Sequence, residues 1–158
     1  MLQYLVAAVA FTIMAWALAA KWSQGYRARK AWNRGCQAFD TGDIPGAERQ
    51  FRRCVKLVPV WTLTRRMLGR ILARQGHFAE AEEQFRFAAQ LEPRNGEGYL
   101  DLGLFLATCP PARPDEALDM FAKAVEFAPN LREILAGADV LGSLRDHHRF
   151  KELLAKTG

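Results

Sequence analysis

The sequence predicts an all-α protein, with one long apolar helix followed by helical hairpins stacked as a repeat array. Three observations predict it. Residues 1–20 contain no Asp, Glu, Lys or Arg, so all 22 basic and 17 acidic residues lie beyond them. Gly35, Gly69 and Gly103 fall at equal intervals of 34. Ala-x-x-x-Phe recurs at Ala47–Phe51, Ala81–Phe85 and Ala117–Phe121, and each Phe is followed eight positions later by Pro59, Pro93 or Pro129. The composition, 50% apolar and 25% charged, is that of a globular chain. The part beyond the apolar segment, ~135 residues, is large enough to bury a core.

The first element is the uncharged run Leu2–Ala20. A helix of that length is roughly 28 Å long, close to the ~30 Å hydrocarbon core of a bilayer. Tyr4 near its start and Trp16 and Trp22 near its end suit a membrane interface, and Lys21, Arg27, Arg29, Lys30 and Arg34 follow. The expectation is a single-pass anchor over residues 1–24, with lipid along residues 2–20 and Trp16, Lys21, Trp22, Arg27, Arg29 and Lys30 flanking the membrane. The basic flank predicts an amino terminus outside and a cytoplasmic remainder. The competing reading is a cleaved signal peptide, with Ala17-Leu18-Ala19 as a cleavage-like triplet. It would make the chain a secreted or periplasmic repeat protein. Met1-Leu2-Gln3 supplies none of the basic residues such a peptide carries before its apolar run. Ala8 with Thr12 and Ala15 with Ala19 are small-residue pairs one turn apart, spacing that lets another helix approach closely.

Charge is unevenly spread. Residues 21–61 hold nine basic and three acidic residues, whereas residues 96–131 hold two and six. Basic charge beside the apolar end favours a membrane surface over nucleic acid. Cys36, Cys54 and Cys109 are an odd number at wide spacing, with no C-x-x-C pair and no His close by in sequence. Neither a zinc site nor a disulfide framework is indicated, and a reducing compartment fits better than an oxidising one.

The later elements are helices in pairs. Asp43 can cap a helix with Pro45 in its first turn, and Pro114 precedes Asp115 and Glu116, acids suited to a helix amino end. Cys109-Pro110-Pro111-Ala112-Arg113-Pro114 is turn chemistry and accounts for two extra residues in the third copy. The copies align as Ala31, Arg34-Gly35, Ala38, Ala47, Phe51, Pro59; then Arg65, Leu68-Gly69, Leu72, Ala81, Phe85, Pro93; then Tyr99, Leu102-Gly103, Leu106, Ala117, Phe121, Pro129. Cys54 stands where the later copies have Ala88 and Ala124. On these residues the chain resembles the tetratricopeptide repeat family over residues 28–131. The resemblance implies three helical hairpins, about 28–61, 62–95 and 96–131, closed by a degenerate capping hairpin over 132–158. In the cap, Leu131, Leu135, Ala138, Leu141 and Leu144 keep helical spacing, and Phe150, Leu153 and Leu154 make a second face. Small residues let paired backbones approach, the phenylalanines fill space between hairpins, and the prolines end second helices. Gly25 is a candidate hinge or break between anchor and repeats.

No nucleotide-binding, metalloprotease or hydrolase motif is present, so the expectation is a non-enzyme with no cofactor, no metal and no small-molecule substrate. His77, His147 and His148 read as solvated turn residues, Glu82-Glu83 as a solvated helix face, and Ser23 and Ser143 as lacking a histidine partner. The resemblance places the first helix of each repeat on an inner groove. Its lining would include Arg29, Trp32, Cys36 and Phe39; Leu63, Arg66, Arg70, Ala73 and Arg74; and Glu97, Leu100, Leu104, Ala107 and Thr108. Arg66, Arg70 and Arg74 share one helix face and repel one another unless an anion lies opposite. Arg29, Trp32, Phe39, Arg66, Arg70, Arg74, Leu100 and Leu104 are therefore the candidate binding residues, for a partner segment carrying acidic and apolar side chains. A two-carboxylate clamp for chaperone tails is not expected, because Trp32, Cys36, Met67, Glu97 and Asp101 stand at its positions. The expected function is a membrane-anchored interaction scaffold, assembly factor or accessory subunit of a membrane complex. The alternatives are a receptor for targeting sequences, which would want basic peptides, or the secreted or periplasmic repeat protein.

Overall fold

The computed structural model describes the backbone of residues 2–155, with side chains from Val9 onward except that of Ser143. Tyr4 and Ala8, the first member of the Ala8 and Thr12 pair, therefore lie outside the described side chains, as does Ser143. Among the described residues all regular structure is helical. The chain divides into two compact units, Met1–Trp61 and Thr62–Gly158.

The first unit is one hairpin. Helix α1 (Leu2–Asp40) packs its carboxyl-terminal part on α2 (Ile44–Leu57). Gly42, at φ +80°, supplies the left-handed residue of the turn between them. Asp43 then caps α2, its carboxylate accepting from Gly46 N–H at 2.8 Å, with Pro45 in the first turn. Ala28, Ala31 and Cys54 are buried at the hairpin centre, with Trp32, Leu57, Val58 and Trp61 packed against them. The Cys54 thiol donates to the Ala28 carbonyl at 3.4 Å, so this position carries a hydrogen bond that the alanines of later copies cannot make. Phe51 is wholly buried and its ring tip sits where a Cβ on Gly35 would lie, 3.0 Å away.

Helix α1 runs unbroken through Ser23-Gln24-Gly25, so Gly25 neither breaks nor ends it. From Val9 to Arg27 every described side chain is exposed. No helix among the described residues is long and apolar enough to cross a membrane. This corrects the expected single-pass localisation, with its outside amino terminus and cytoplasmic repeats. The same helix then carries Lys21, Arg27, Arg29, Lys30 and Arg34.

The second unit holds α3 (Thr62–Arg74), α4 (Phe78–Leu91), α5 (Gly96–Thr108), α6 (Pro114–Phe127), α7 (Leu131–Ala136), a 3₁₀ segment (Asp139–Asp146) and α8 (His148–Ala155). Helices α3 and α4 form one hairpin and α5 and α6 the next. Each repeats the glycine–phenylalanine contact. A Cβ on Gly69 would lie 2.9 Å from the Phe85 ring, and one on Gly103 would lie 2.6 Å from the Phe121 ring. Phe85 and Phe121 are themselves buried, so the rings have no room to yield. The terminal element differs from an even pair of helices. Helix α7 ends after six residues at Gly137, Ala138 turns extended, and Gly142 takes φ +44°. Leu131, Leu135, Leu141, Leu144 and Phe150 are nonetheless buried, so the apolar spacing survives although the helix does not.

Candidate functional site

The arginine stripe on α3 faces α5 within the second unit. Arg66 donates from Nε to Asp101 at 2.5 Å and from Nη1 to Glu97 at 2.5 Å. Arg70 donates from Nη2 to the other Asp101 oxygen at 2.6 Å. The Asp101 side chain is 3% exposed and that of Arg66 is 9%, so their pair is buried, whereas Glu97 is 58% exposed. Burial works against the Arg66 charge. The Asp101 charge and hydrogen bond, helped by Glu97, outweigh it and hold the guanidinium above its ordinary value. The anion that three aligned arginines require is thus largely supplied from inside the chain.

This rearranges the candidate residues. Arg66 and Leu100 are buried and belong to the packing between α3 and α5, which corrects their expected place on an open groove. Arg70 keeps an exposed half and Arg74 is exposed; Leu63 is 43% exposed, and Leu104 is half-buried. In the first unit Arg29 is exposed on α1, and Phe39 is half-buried. Trp32, a candidate on the groove, is half-buried within its own hairpin. Its ring packs edge-on to Phe51 at 5.2 Å and beside Trp61 at 5.3 Å. Trp16, Lys21, Trp22, Arg27, Arg29 and Lys30 are all exposed along α1.

A second charge network joins α4 to α6. Glu82 accepts from Arg86 at 2.8 Å and from Arg113 at 2.5 Å, and Glu116 closes the ring by accepting from Arg86 and pairing with Arg113 at 3.2 Å. The hydrogen bond from Arg113 holds the Glu82 carboxyl below its usual range, and the one Arg86 donates to Glu116 holds Arg86 above its own. Glu82 is therefore part of a built network and not a plain solvated face. A third cluster tethers the turn before α5. Thr62 donates to Glu92 at 2.6 Å, Asn95 donates to its other oxygen at 2.6 Å, and Asn95 caps α5 through Glu97 N–H at 3.0 Å. The Thr62 hydrogen bond, followed by that from Asn95, lowers the Glu92 carboxyl.

His77 and His148 are exposed. His147 differs from the expected solvated turn residue: it is half-buried, stacks on His148 at 4.8 Å, and its Nδ1 is buried without a hydrogen bond. Among the described residues no group of three His, Cys, Asp or Glu side chains is placed to hold a metal ion.

Paired helices stacked in succession, with a small residue against a phenylalanine in each pair, make an all-α helical-hairpin repeat fold, the fold of tetratricopeptide repeat proteins. Solved structures of that class are similar to this chain. A mutant O-GlcNAc transferase from Thermobaculum terrenum superposes with a TM-score of 0.66 at 19% identity over 75% of this chain, and the match spans 22% of that protein's length. A MamA protein gives 0.64 at 20% identity over 82% of this chain and 68% of its own. The TPR2B domain of yeast Sti1, in its complex with pHsp70, gives 0.62 at 17% identity over 81% and 96%. No family model and no curated protein matches the sequence.

Proposed function

We propose that the chain is a protein-interaction module that docks a partner segment on the face shared by α3 and α5, and performs no chemistry of its own. The observation that carries this is the state of Arg70. One of its Nη groups is committed to Asp101 and half of the side chain is in solvent, two turns along the same helix face from the exposed Leu63, on a helix held in place by the buried Arg66–Asp101 pair. A pre-oriented guanidinium with donors to spare favours a carboxylate, and the neighbouring apolar surface of Leu63 and Leu104 favours an apolar side chain next to it. The similar fold of a domain solved in complex with pHsp70 supports a docking role. The clamp arrangement is not part of the proposal, since Glu97 and Asp101 occupy two of its positions. A scaffold or assembly role follows from docking, and membrane anchoring forms no part of it.

The test is fluorescence anisotropy with a labelled ten-residue peptide whose central Phe-Leu is flanked by Asp and Glu, against a version with Lys at the flanks. Binding of the acidic peptide alone, weakened at least tenfold by Arg70→Glu with Arg74→Glu, is expected. Arg66 is left intact, because reversing it would place three acids together in a buried site. Equal binding of both peptides, or no change in the double variant, overturns the proposal.

A further inference from the structure

The solvent side of α1 is built to fit a second copy of the chain. At about 100° per residue, Phe11, Ala15, Leu18, Trp22, Gly25 and Arg29 fall within roughly 40° of one line along the helix. Their alternating steps of four and three residues make the seam by which two helices pack side by side. The line lies about 130° round the helix from Ala28, Ala31 and Gly35, which are buried within the hairpin. Phe11 is 66% exposed, Leu18 62% and Trp22 80%, and nothing among the described residues covers them. A depression of about 620 Å³ opens on the seam, lined by Leu18, Lys21, Trp22, Gly25, Tyr26 and Arg29. Contiguous apolar surface of this extent marks an interaction site.

Three observations name the occupant. The seam is its own complement when run antiparallel about Ala20: Phe11 then stands level with Arg29 of the second copy, Ala15 with Gly25, and Leu18 with Trp22. A guanidinium meets an aromatic ring at each end, and small residues between them leave room for Leu18 and Trp22. Charge selects that direction. From Val9 to Phe39 there is no acidic residue, so a parallel pair would set Lys21, Arg29, Lys30 and Arg34 beside their own counterparts with no anion between them. An antiparallel pair sets this basic stretch beside the uncharged residues 6–19 of the second copy. The area suffices as well. Phe11, Trp22 and the flanking Tyr26, at about 150 Å² each from both copies, bury about 900 Å², and Met14 and Leu18 bring this to roughly 1,200 Å², where stable interfaces begin.

We infer that α1 self-associates through this seam as an antiparallel two-fold dimer centred on Ala20, with Val9, Ile13 and Trp16 left in solvent on the far side of the helix. The interface belongs to the first unit and is independent of the α3–α5 face.

Sedimentation equilibrium of the full chain without detergent, over about 1–100 µM, is expected to give a mass approaching that of two chains. The chain has four tryptophans, so 5-fluorotryptophan labelling gives four fluorine resonances, assigned by single Trp→Phe changes. On dilution the Trp22 resonance should move while that of Trp16 stays in place. Leu18→Glu with Trp22→Glu should weaken the dimer at least tenfold, and Ile13→Glu with Trp16→Glu should change it by no more than about twofold. All four positions are exposed, and an unchanged circular dichroism melt verifies that both variants fold. Phe11→Lys, set against Arg29 of the second copy, should weaken the dimer more than Phe11→Glu, which meets the same arginine with a carboxylate. A chain that is monomeric throughout the range, including one that instead collects on phosphatidylserine vesicles, overturns the inference. So do equal losses in the two double variants, Trp16 and Trp22 resonances that move together, or equal effects of lysine and glutamate at position 11.

Discussion

Asp101→Ala should be the most costly single polar truncation in the second unit. The wild-type carboxylate is 3% exposed and receives both Arg66 and Arg70. Its removal leaves the Arg66 guanidinium, itself 9% exposed, with Glu97 alone, whose 58% exposure lets water screen the pair. Stranding one member of a buried ion pair costs about 3–5 kcal/mol, a large share of a typical stability of about 5–15 kcal/mol. At roughly 4–8 °C per kcal/mol for a unit of this size, the melting temperature should fall by about 15 °C or more. Urea unfolding followed by far-ultraviolet circular dichroism measures the loss. Glu97→Ala is the control and should cost no more than about 1 kcal/mol. Replacing both partners, Arg66→Met with Asp101→Leu, should recover most of the stability, because the desolvation cost leaves with the charges. An Asp101→Ala loss equal to that of Glu97→Ala would refute the reasoning, since the burial of the pair would then have no energetic consequence.

Three further outcomes follow from the same geometry. Alanine at Gly103 should destabilise more than at Gly69, and that more than at Gly35, following Cβ-to-ring approaches of 2.6, 2.9 and 3.0 Å; overpacking costs of about 1–3 kcal/mol in denaturant titrations are expected. Gly25→Ala should have the opposite sign, since nothing lies within 4 Å of its Cβ and removing a helix-interior glycine contributes about 0.5–1 kcal/mol; a rise in α1 helicity by circular dichroism checks it. Acid should destabilise the fold through Glu82 and Glu92. Their folded values lie below the unfolded one, so the stability they contribute is present above a pH of about 4.5 and is lost as pH falls through the folded values. Glu82→Gln should flatten the fall of melting temperature below that pH, and an unchanged slope would count against the network.

The hairpins were legible because their signals are local. Asp43 next to Pro45, and each glycine set against its own phenylalanine, can be read within a single repeat. The ion pairs that reshape the candidate site were not, since they depend on which faces of successive hairpins meet. A signal for them did exist. Arg66 and Asp101, Arg66 and Glu97, Arg70 and Asp101, and Arg86 and Glu116 are separated by 30 to 35 residues, close to one repeat length. Opposite charges one period apart on equivalent helices are the pairs a stacked repeat brings together. The stripe was instead read along α3 alone, so Arg66 was expected on an open groove. The terminal segment misled for a different reason. Apolar spacing reports burial, and Leu131, Leu135, Leu141 and Leu144 are buried, but Gly137 and Gly142 let the backbone leave the helix between them. The expected membrane span rested on the length of the apolar run alone, whereas α1 continues unbroken into a basic stretch and no helix among the described residues is long and apolar enough to cross a membrane.

The docking face is tested most directly by where a partner segment lands. The acidic Phe-Leu peptide with benzophenone at its apolar position, irradiated with the full chain and mapped by mass spectrometry, should cross-link to Leu63 or Leu104. That adduct should disappear in the Arg70→Glu, Arg74→Glu variant. Adducts confined to other helices, or an α3–α5 adduct that the variant leaves unchanged, would contradict the proposed docking face.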